Sequence, residues 1–112
     1  RGEIPNKTVA ENAHALAFED IQPVAPIHVL VIPRGRYVTV DHFGAEAEEA
    51  EIAGFWRLVS EVSRITGVAP GAGGEGFRTI ANTGPHGVQE VPHFHVHVIG
   101  GRKLGRMMPR ES

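Results

Sequence analysis

The sequence predicts an α+β fold in which a five-stranded antiparallel sheet packs against one principal helix. Five short segments have the β-branched or alternating apolar pattern of strands. One long segment between the third and fourth of them repeats apolar residues at spacings of three and four, which indicates an amphipathic helix. Short connections within each group of strands favour antiparallel pairing. Since 112 residues suit a single core, we expect residues 1–112 to form one domain.

The predicted strands are bounded by turn residues and prolines. Between the first two, the sequence ENAH at 11–14 supplies a turn, so we expect these strands to pair as a hairpin. The third is rich in β-branched residues and is bounded by Pro26 and Pro33. In chain order the predicted strands span 8–11, 15–20, 27–32, 76–82 and 93–99.

The predicted helix runs from about Ala45 to Thr66, and Gly67 is a suitable C-terminal stop. Acidic residues crowd its first turns, where negative charge suits the helix dipole. The glycine-rich stretch 67–76 lacks the Lys-Ser/Thr ending of a Walker motif, so we interpret it as a connection. The helix stripe that we expect to be buried consists of Ile52, Phe55, Trp56, Val59 and Val62.

Composition excludes several classes of function. The formal net charge is −2 with no basic stripe, so duplex nucleic acid is not an expected partner. The chain contains no cysteine, which rules out disulfides, thiolate catalysis and cysteine-type zinc sites. No apolar stretch approaches the roughly 20 residues needed to cross a bilayer. We therefore expect a cytoplasmic protein with no membrane partner.

Residues 93–97 read HFHVH, which places three of the seven histidines on alternate positions of an apolar run. Successive side chains of a strand point to opposite faces, so His93, His95 and His97 would share one face. The apolar face, beginning with Phe94, would meet the helix stripe. A chance row of surface histidines is the plainest alternative interpretation.

Two kinds of chemistry fit such a row. A single metal ion is poorly placed for all three imidazoles, because His93 and His97 would lie ~13 Å apart along the strand. A metal would need one adjacent pair and further ligands, for which His28 is a candidate. Alternatively, neighbouring imidazoles disfavour each other's protonation, so one should remain neutral and able to attack phosphorus. Backbone N–H groups of the polar turn 82–92 would then face the anion.

The run His-Phe-His-Val-His-Val-Ile at 93–99 matches the signature His-φ-His-φ-His-φ-φ, with φ apolar, of the histidine triad (HIT) superfamily. The Gly-Gly-Arg that follows at 100–102 resembles the Hint branch, the purine nucleoside phosphoramidases. The segments 2–5, 16–26 and 27–37 also run as in Hint-type proteins, so the resemblance covers effectively the whole chain.

This resemblance implies a homodimer with a continuous sheet that hydrolyses nucleoside 5′-phosphoramidates, with adenosine as the expected nucleoside. The reaction would release AMP and an amine through a nucleotidyl-histidine intermediate, with no metal and no cofactor. The alternative within enzymes is a dinucleoside polyphosphate (Ap4A-type) hydrolase. The alternative outside enzymes is a nucleotide-binding protein with little turnover.

The resemblance also assigns roles to individual residues. His95 would be the nucleophile, His93 and His97 would orient its ring and the phosphate, and His28 would complete a four-histidine network. Asp20 would receive the ribose hydroxyls, which suits a carboxylate because it accepts hydrogen bonds from both. The remaining nucleotide-binding residues would be Phe18 and Ile21 beside Asp20, Asn82 near ribose and phosphate, and Gln89, Glu90 and Val91 beside the α-phosphate, largely through backbone N–H.

The chain departs from the Hint pattern at three places. Glu90 stands where many Hint proteins carry a small hydroxyl residue that is thought to help protonate the leaving amine. The segment after Gly100 has no tryptophan, which animal Hint proteins place there. Family members usually have a segment before the position of Arg1 that lines the nucleobase pocket, so we expect one to be missing here. Three histidines have no matching role and are expected at the surface, namely His14, His42 and His86.

Overall fold

The computed structural model describes residues 7–109 and contains one five-stranded antiparallel sheet. The strands lie in the order β1-β2-β3-β5-β4. Each predicted segment contains one strand, and β1 and β2 pair as the predicted hairpin. The fold class is thus confirmed. The strand bounds are β1 Thr8–Glu11, β2 Ala15–Glu19, β3 Ile27–Pro33, β4 Phe77–Ile80 and β5 Val96–Gly100.

The predicted principal helix is confirmed as α2, Glu49–Ile65, which begins later than the expected start near Ala45. A short helix that was not predicted, α1, Val40–Glu46, precedes it. Both are capped at their N-termini. The Thr39 hydroxyl accepts a hydrogen bond from the backbone N–H of His42, and Glu48 forms a capping box at the start of α2. The cap at Glu48 therefore places the start of α2 after the predicted one, and the predicted apolar stripe lies wholly within α2.

Helix α2 packs on one face of the sheet and forms the core with it. Three aromatic rings meet at the centre: Phe43, Phe55 and Phe94 have ring centroids 5.0–5.2 Å apart. Trp56, predicted to be buried, is instead 43% exposed. At 100° per residue it lies at the flank of the stripe that Phe55 centres, so only an edge of the ring reaches the core.

The last strand begins later than predicted, so His93 and His95 precede β5 and only His97 lies within it. The β3–β5 ladder ends at the Val31–Val96 pair, which leaves no partner for the preceding residues. Burial nevertheless alternates as predicted, since the apolar residues of 94–98 are buried and the histidines are half-buried. The backbone N–H of Phe94 donates to the Tyr37 carbonyl over 2.7 Å and extends the entry to β5.

The glycine-rich stretch 67–76 is a connection, as expected, and contains a short 3₁₀ turn at Pro70–Ala72. Within residues 7–109, neither helix has the length and apolar character needed to cross a membrane.

Candidate active site

The sheet face opposite α2 brings together the predicted site residues of three strands. Antiparallel pairing places Phe18 of β2 opposite Leu30 of β3, and Leu30 opposite His97 of β5. His28 lies two residues before Leu30 and therefore on the same face. An adjoining cavity of about 250 Å³ is lined by Phe18, Leu30, Ile32, Val91, His93 and His95.

Asp20, His28 and His97 form a compact polar cluster at one end of this face. His28 Nε2 lies 2.9 Å from His97 Nδ1 and 3.4 Å from Asp20 Oδ2. The two rings are tilted by 46° with centroids 5.1 Å apart. Since His28 is only 7% exposed, its hydrogen bonds are made largely out of reach of bulk water. The structure thus joins Asp20 and His28 to His97, which lies 69 residues beyond His28 in the sequence.

The position of the proton on His28 follows from a main-chain contact. The backbone N–H of Val24 donates to His28 Nδ1 over 3.1 Å, so Nδ1 must present its lone pair. The proton of the ring therefore sits on Nε2, which faces His97 Nδ1. His28 is the donor in this pair, and His97 Nδ1 is the acceptor.

His97 is neutral at neutral pH. Burial, together with the neighbouring His95 and His28 rings, lowers the pKa of its imidazole to about 4, while Asp20 opposes the shift. This agrees with the expectation that one imidazole of the row remains uncharged, although burial contributes more than the neighbouring rings. Because Nδ1 accepts from His28, the single ring proton of neutral His97 is on Nε2.

The tautomer of His95 follows from a carbonyl contact. Its Nδ1 lies 2.8 Å from the carbonyl oxygen of His93, and a carbonyl can only accept, so Nδ1 carries the proton. Nε2 therefore holds a free lone pair. The rings of His95 and His97 meet edge to face with centroids 5.1 Å apart. In the uncharged form of the His95 ring, the lone pair on Nε2 is thus available beside the ring of His97.

The contact of His93 with His95 is made by its backbone, while its ring points to another strand. Its Nε2 lies 3.3 Å from the carbonyl oxygen of Pro33, the last residue of β3. Its own carbonyl holds the His95 ring. The geometry is consistent with the orienting role expected for His93.

Three of the predicted nucleotide-binding residues follow the ends of β2 and β4. Asp20 Oδ1 accepts from the backbone N–H of Gln22 over 2.8 Å, which holds the carboxylate in place. Next to it, Ile21 is 77% exposed and presents an apolar surface to solvent. Asn82 is half-buried and follows Ile80, whose strand partner is His97.

Two consecutive main-chain donors near the end of the loop 82–92 are free. Within residues 7–109, neither Glu90 nor Val91 donates its backbone N–H to another main-chain group. They directly precede the histidine run, and consecutive free N–H groups of this kind are suited to an anion. The Glu90 side chain is exposed. The Gln89 side chain, by contrast, is bonded to the backbone of its own fold and is not turned to a ligand.

The only group of potential metal ligands within residues 7–109 is Asp20, His28 and His97, whose ligand atoms lie within 4.8 Å of one another. A metal on His28 Nε2 would require the proton to move to Nδ1, where it would oppose the N–H of Val24. Metal-bound histidines normally donate their second N–H to an acceptor. The surroundings of His28 therefore disfavour a metal ion.

Of the three histidines expected at the surface, only His86 is exposed. His14 is half-buried against Gly54, where an added Cβ would lie 2.7 Å from the imidazole. His42 is also half-buried, and its Nδ1 accepts from the backbone N–H of Val38. The prediction for His14 and His42 is wrong because both pack against helical elements.

Three contributors to the site were not predicted: the N–H of Val24 and the carbonyls of Pro33 and Tyr37. All act through the main chain, so no residue type marks them in the sequence. In the sequence, only the two prolines that bound β3 indicated that the backbone dihedral angles are restricted there.

The fold and the site together define a class of protein. Its five-stranded antiparallel sheet carries hydrogen-bonded histidines on the face opposite α2, where they can act as acids, bases or nucleophiles. The HIT domain family profile matches residues 1–104. The chain belongs to the histidine triad (HIT) family, and its relatives place it in the Hint branch.

Both sequences and solved structures support this membership. A 13.2 kDa HIT-like protein of Azospirillum brasilense is 54% identical over 110 residues, which is 98% of this chain and 87% of the relative. The purine nucleoside phosphoramidase of Escherichia coli K12 is 41% identical over 112 residues, 100% of this chain and 90% of the relative. A solved histidine triad protein of Clostridium difficile has a TM-score of 0.81 at 35% identity, covering 96% of this chain and 89% of that one.

Proposed function

We propose that this HIT-family hydrolase cleaves nucleoside 5′-phosphoramidates, with adenosine as the nucleoside, to a nucleoside monophosphate and an amine. The observation that carries the proposal is the hydrogen bond from His95 Nδ1 to the His93 carbonyl, because it leaves Nε2 with a free lone pair. The similarity to the E. coli purine nucleoside phosphoramidase supports the choice of substrate.

The reaction proceeds in two displacements at the α-phosphorus. His95 Nε2 forms a bond to phosphorus, and the P–N bond breaks with its electron pair going to nitrogen, which takes a proton and leaves as the amine. Water then attacks the same phosphorus. The bond to His95 breaks, and its electron pair returns to Nε2. The proton that the water loses replaces the one that the amine took up in the first displacement.

Three N–H groups are proposed to stabilise the charge on the phosphoryl oxygens. One is His97 Nε2–H, whose proton is retained because His28 donates to Nδ1. The others are the free backbone N–H groups of Glu90 and Val91. Preorganised donors of this kind act where charge develops in the transition state.

The nucleoside is proposed to bind through Asp20, Ile21, Phe18 and Asn82. Asp20 would receive the ribose hydroxyls, since one of its oxygens is held by the N–H of Gln22 and both retain lone pairs. Ile21, which is 77% exposed, and Phe18 would contact the base. No step of this reaction requires a metal or another cofactor.

The protein is further proposed to act as a homodimer with a continuous sheet. In the described chain β1 and β4 are the sheet edges, and an unpaired edge offers main-chain groups for a second copy. Light scattering coupled to size-exclusion chromatography should give twice the chain mass. The chain mass alone would contradict the dimer.

The decisive experiment compares two substrates in the presence of a chelator. We expect rapid release of amine from a fluorogenic adenosine phosphoramidate and slow cleavage of diadenosine polyphosphate. A preference for the diadenosine polyphosphate would instead identify an Ap4A-type hydrolase. Binding of AMP without turnover of either compound would identify a nucleotide-binding protein.

A further inference from the structure

The side chain of Gln89 is used by main-chain groups from three parts of the fold. Its Oε1 accepts from the N–H of Gly84 over 3.0 Å. Its Nε2 donates to the carbonyls of Val38 over 2.6 Å and Val91 over 3.0 Å, which uses both amide hydrogens. This amide therefore ties the beginning of the loop 84–91 to its end, and ties both to the segment that precedes α1.

The loop that Gln89 holds is conformationally constrained. Val88 has φ +58° and is the only non-glycine residue with a positive φ within residues 7–109. A β-branched residue rarely adopts this left-handed conformation, so the surroundings must enforce it. At Gly87 an added Cβ would lie 2.5 Å from the Thr83 carbonyl oxygen. Such a loop would relax if specific bonds did not hold it.

The carbonyl of Val91 links the hydrogen bonds of Gln89 to the backbone that holds His95. The Val91 carbonyl accepts both from Gln89 Nε2 and from the N–H of His93, the latter over 2.8 Å. The carbonyl of His93 in turn accepts from His95 Nδ1. Gln89 thus acts on both the free N–H groups of the loop and the backbone that orients the nucleophile.

We propose that Gln89 is a positioning residue, which fixes the N–H groups of Glu90 and Val91 relative to His95 and touches no substrate itself. The inference rests on the proposed function, in which these donors bind the phosphoryl oxygens. Donors that are misplaced by a fraction of an ångström cost more in the transition state than in the substrate complex. Loss of Gln89 should accordingly lower kcat more than it raises KM.

The test is Gln89→Glu, which keeps the shape of the side chain and replaces the amide donor by an oxygen. That oxygen then faces two carbonyls. We expect kcat to fall about 10- to 100-fold, with KM changed less than about 3-fold. A neutral carboxylic acid regains one donor, so the ratio of variant to wild-type kcat should rise several-fold between pH 8 and pH 5. The matched control is His86→Glu, which adds a carboxylate to the same loop and keeps all three bonds; its kcat should match that of the wild type.

A second measurement does not depend on turnover. In amide NMR spectra, added AMP should shift the Glu90 and Val91 resonances of the wild type and of His86→Glu, and shift them much less in Gln89→Glu. Thermal unfolding of each variant establishes that it is folded. If the wild type hydrolyses no phosphoramidate, the proposed function fails and these shifts alone decide the role of Gln89.

Two outcomes would overturn the inference while the wild type remains active. One is a Gln89→Glu variant whose kcat equals that of His86→Glu. The other is a Gln89→Glu variant that unfolds at a lower temperature but whose folded molecules keep the kcat/KM of the wild type. That result would show that Gln89 only stabilises the fold.

Discussion

His28 Nε2 lies 2.9 Å from His97 Nδ1, although 69 residues separate the two histidines along the chain. Antiparallel pairing of β3 with β5 brings them together, and the N–H of Val24 decides that His28 is the donor. This donor assignment matters for the proposed reaction, because it keeps the proton of neutral His97 on Nε2, where it can face the phosphoryl group.

Replacing the proposed nucleophile should separate binding from chemistry. His95→Ala removes the nitrogen that attacks phosphorus, so we expect hydrolysis to fall about 10³-fold or more, in line with the loss of other catalytic nucleophiles. AMP binding, measured by calorimetry, should remain within about 10-fold of the wild type, since one contact is lost out of several. His86→Ala is the matched control and should keep full activity. Substantial turnover by His95→Ala would exclude His95 as the nucleophile.

The low pKa of His97 should make stability depend on pH. In the unfolded chain the ring takes up a proton below about pH 6.5, whereas in the folded protein burial lowers its pKa to about 4. The unfolded state therefore binds more protons between these values, and the free energy of unfolding falls as the pH falls from 7 to 4. Urea unfolding at pH 7 and pH 5 measures this loss.

The variant His97→Asn cannot take up this proton and should lose less stability over the same pH range. We expect the difference from the wild type to be on the order of 1 kcal/mol, a value reduced for the half-buried position of the ring. His86→Asn serves as the control, because it removes an exposed imidazole that lies outside the site. Equal pH dependence in the wild type and His97→Asn would contradict the low pKa.

Metal ions should be unnecessary for turnover. The N–H of Val24 holds His28 in the tautomer that keeps a proton on Nε2, where a metal would need a lone pair. We expect the rate to be unchanged after dialysis against a strong chelator, and unchanged again when zinc is restored at an equimolar level. Loss of activity with the chelator and its recovery with zinc would mean that the direct attack by His95 is wrong.

The buried ring of Phe94 should contribute more to the stability of the protein than the partly exposed ring of Trp56. Phe94 lies between His93 and His95 and stacks on Phe43 with centroids 5.0 Å apart. Phe94→Ala should destabilise the protein by about 3–5 kcal/mol, the usual cost of a truncated buried phenylalanine. The control Trp56→Ala removes a large ring that is 43% exposed and should cost clearly less. Urea unfolding compares the two, and equal losses would contradict the assignment of Trp56 to the flank.

Two glycines with opposite surroundings should respond oppositely to alanine. At Gly87 an added methyl group would strike the Thr83 carbonyl oxygen at 2.5 Å, so Gly87→Ala should displace the loop and lower kcat about 10-fold. At Gly44, in the exposed part of α1, nothing lies within 4 Å, so Gly44→Ala should stabilise by about 0.5–1 kcal/mol without affecting turnover. Urea unfolding and steady-state assays on both variants measure these effects. An unchanged kcat in Gly87→Ala would contradict the prediction.

Much of the fold followed from local patterns. The five strands and the hairpin were predictable because period-two alternation and turn residues act over a few positions. Helix α1 was not, because it ends before the apolar stripe that begins at Ile52, and its own cap at Thr39 makes it separate from α2, which Glu48 caps. The burial of Trp56 was predicted wrongly because apolar spacing does not define how wide the buried face of the helix is.

The candidate site divides in the same way. Alternation in HFHVH was enough to predict that His93, His95 and His97 share a face, since side chains alternate wherever the backbone is extended. Which nitrogen of each ring carries the proton was beyond the sequence. That choice belongs to the N–H of Val24 and the carbonyl of His93, main-chain groups that look the same at every residue and acquire a role only where folding places them within hydrogen-bond distance of a ring.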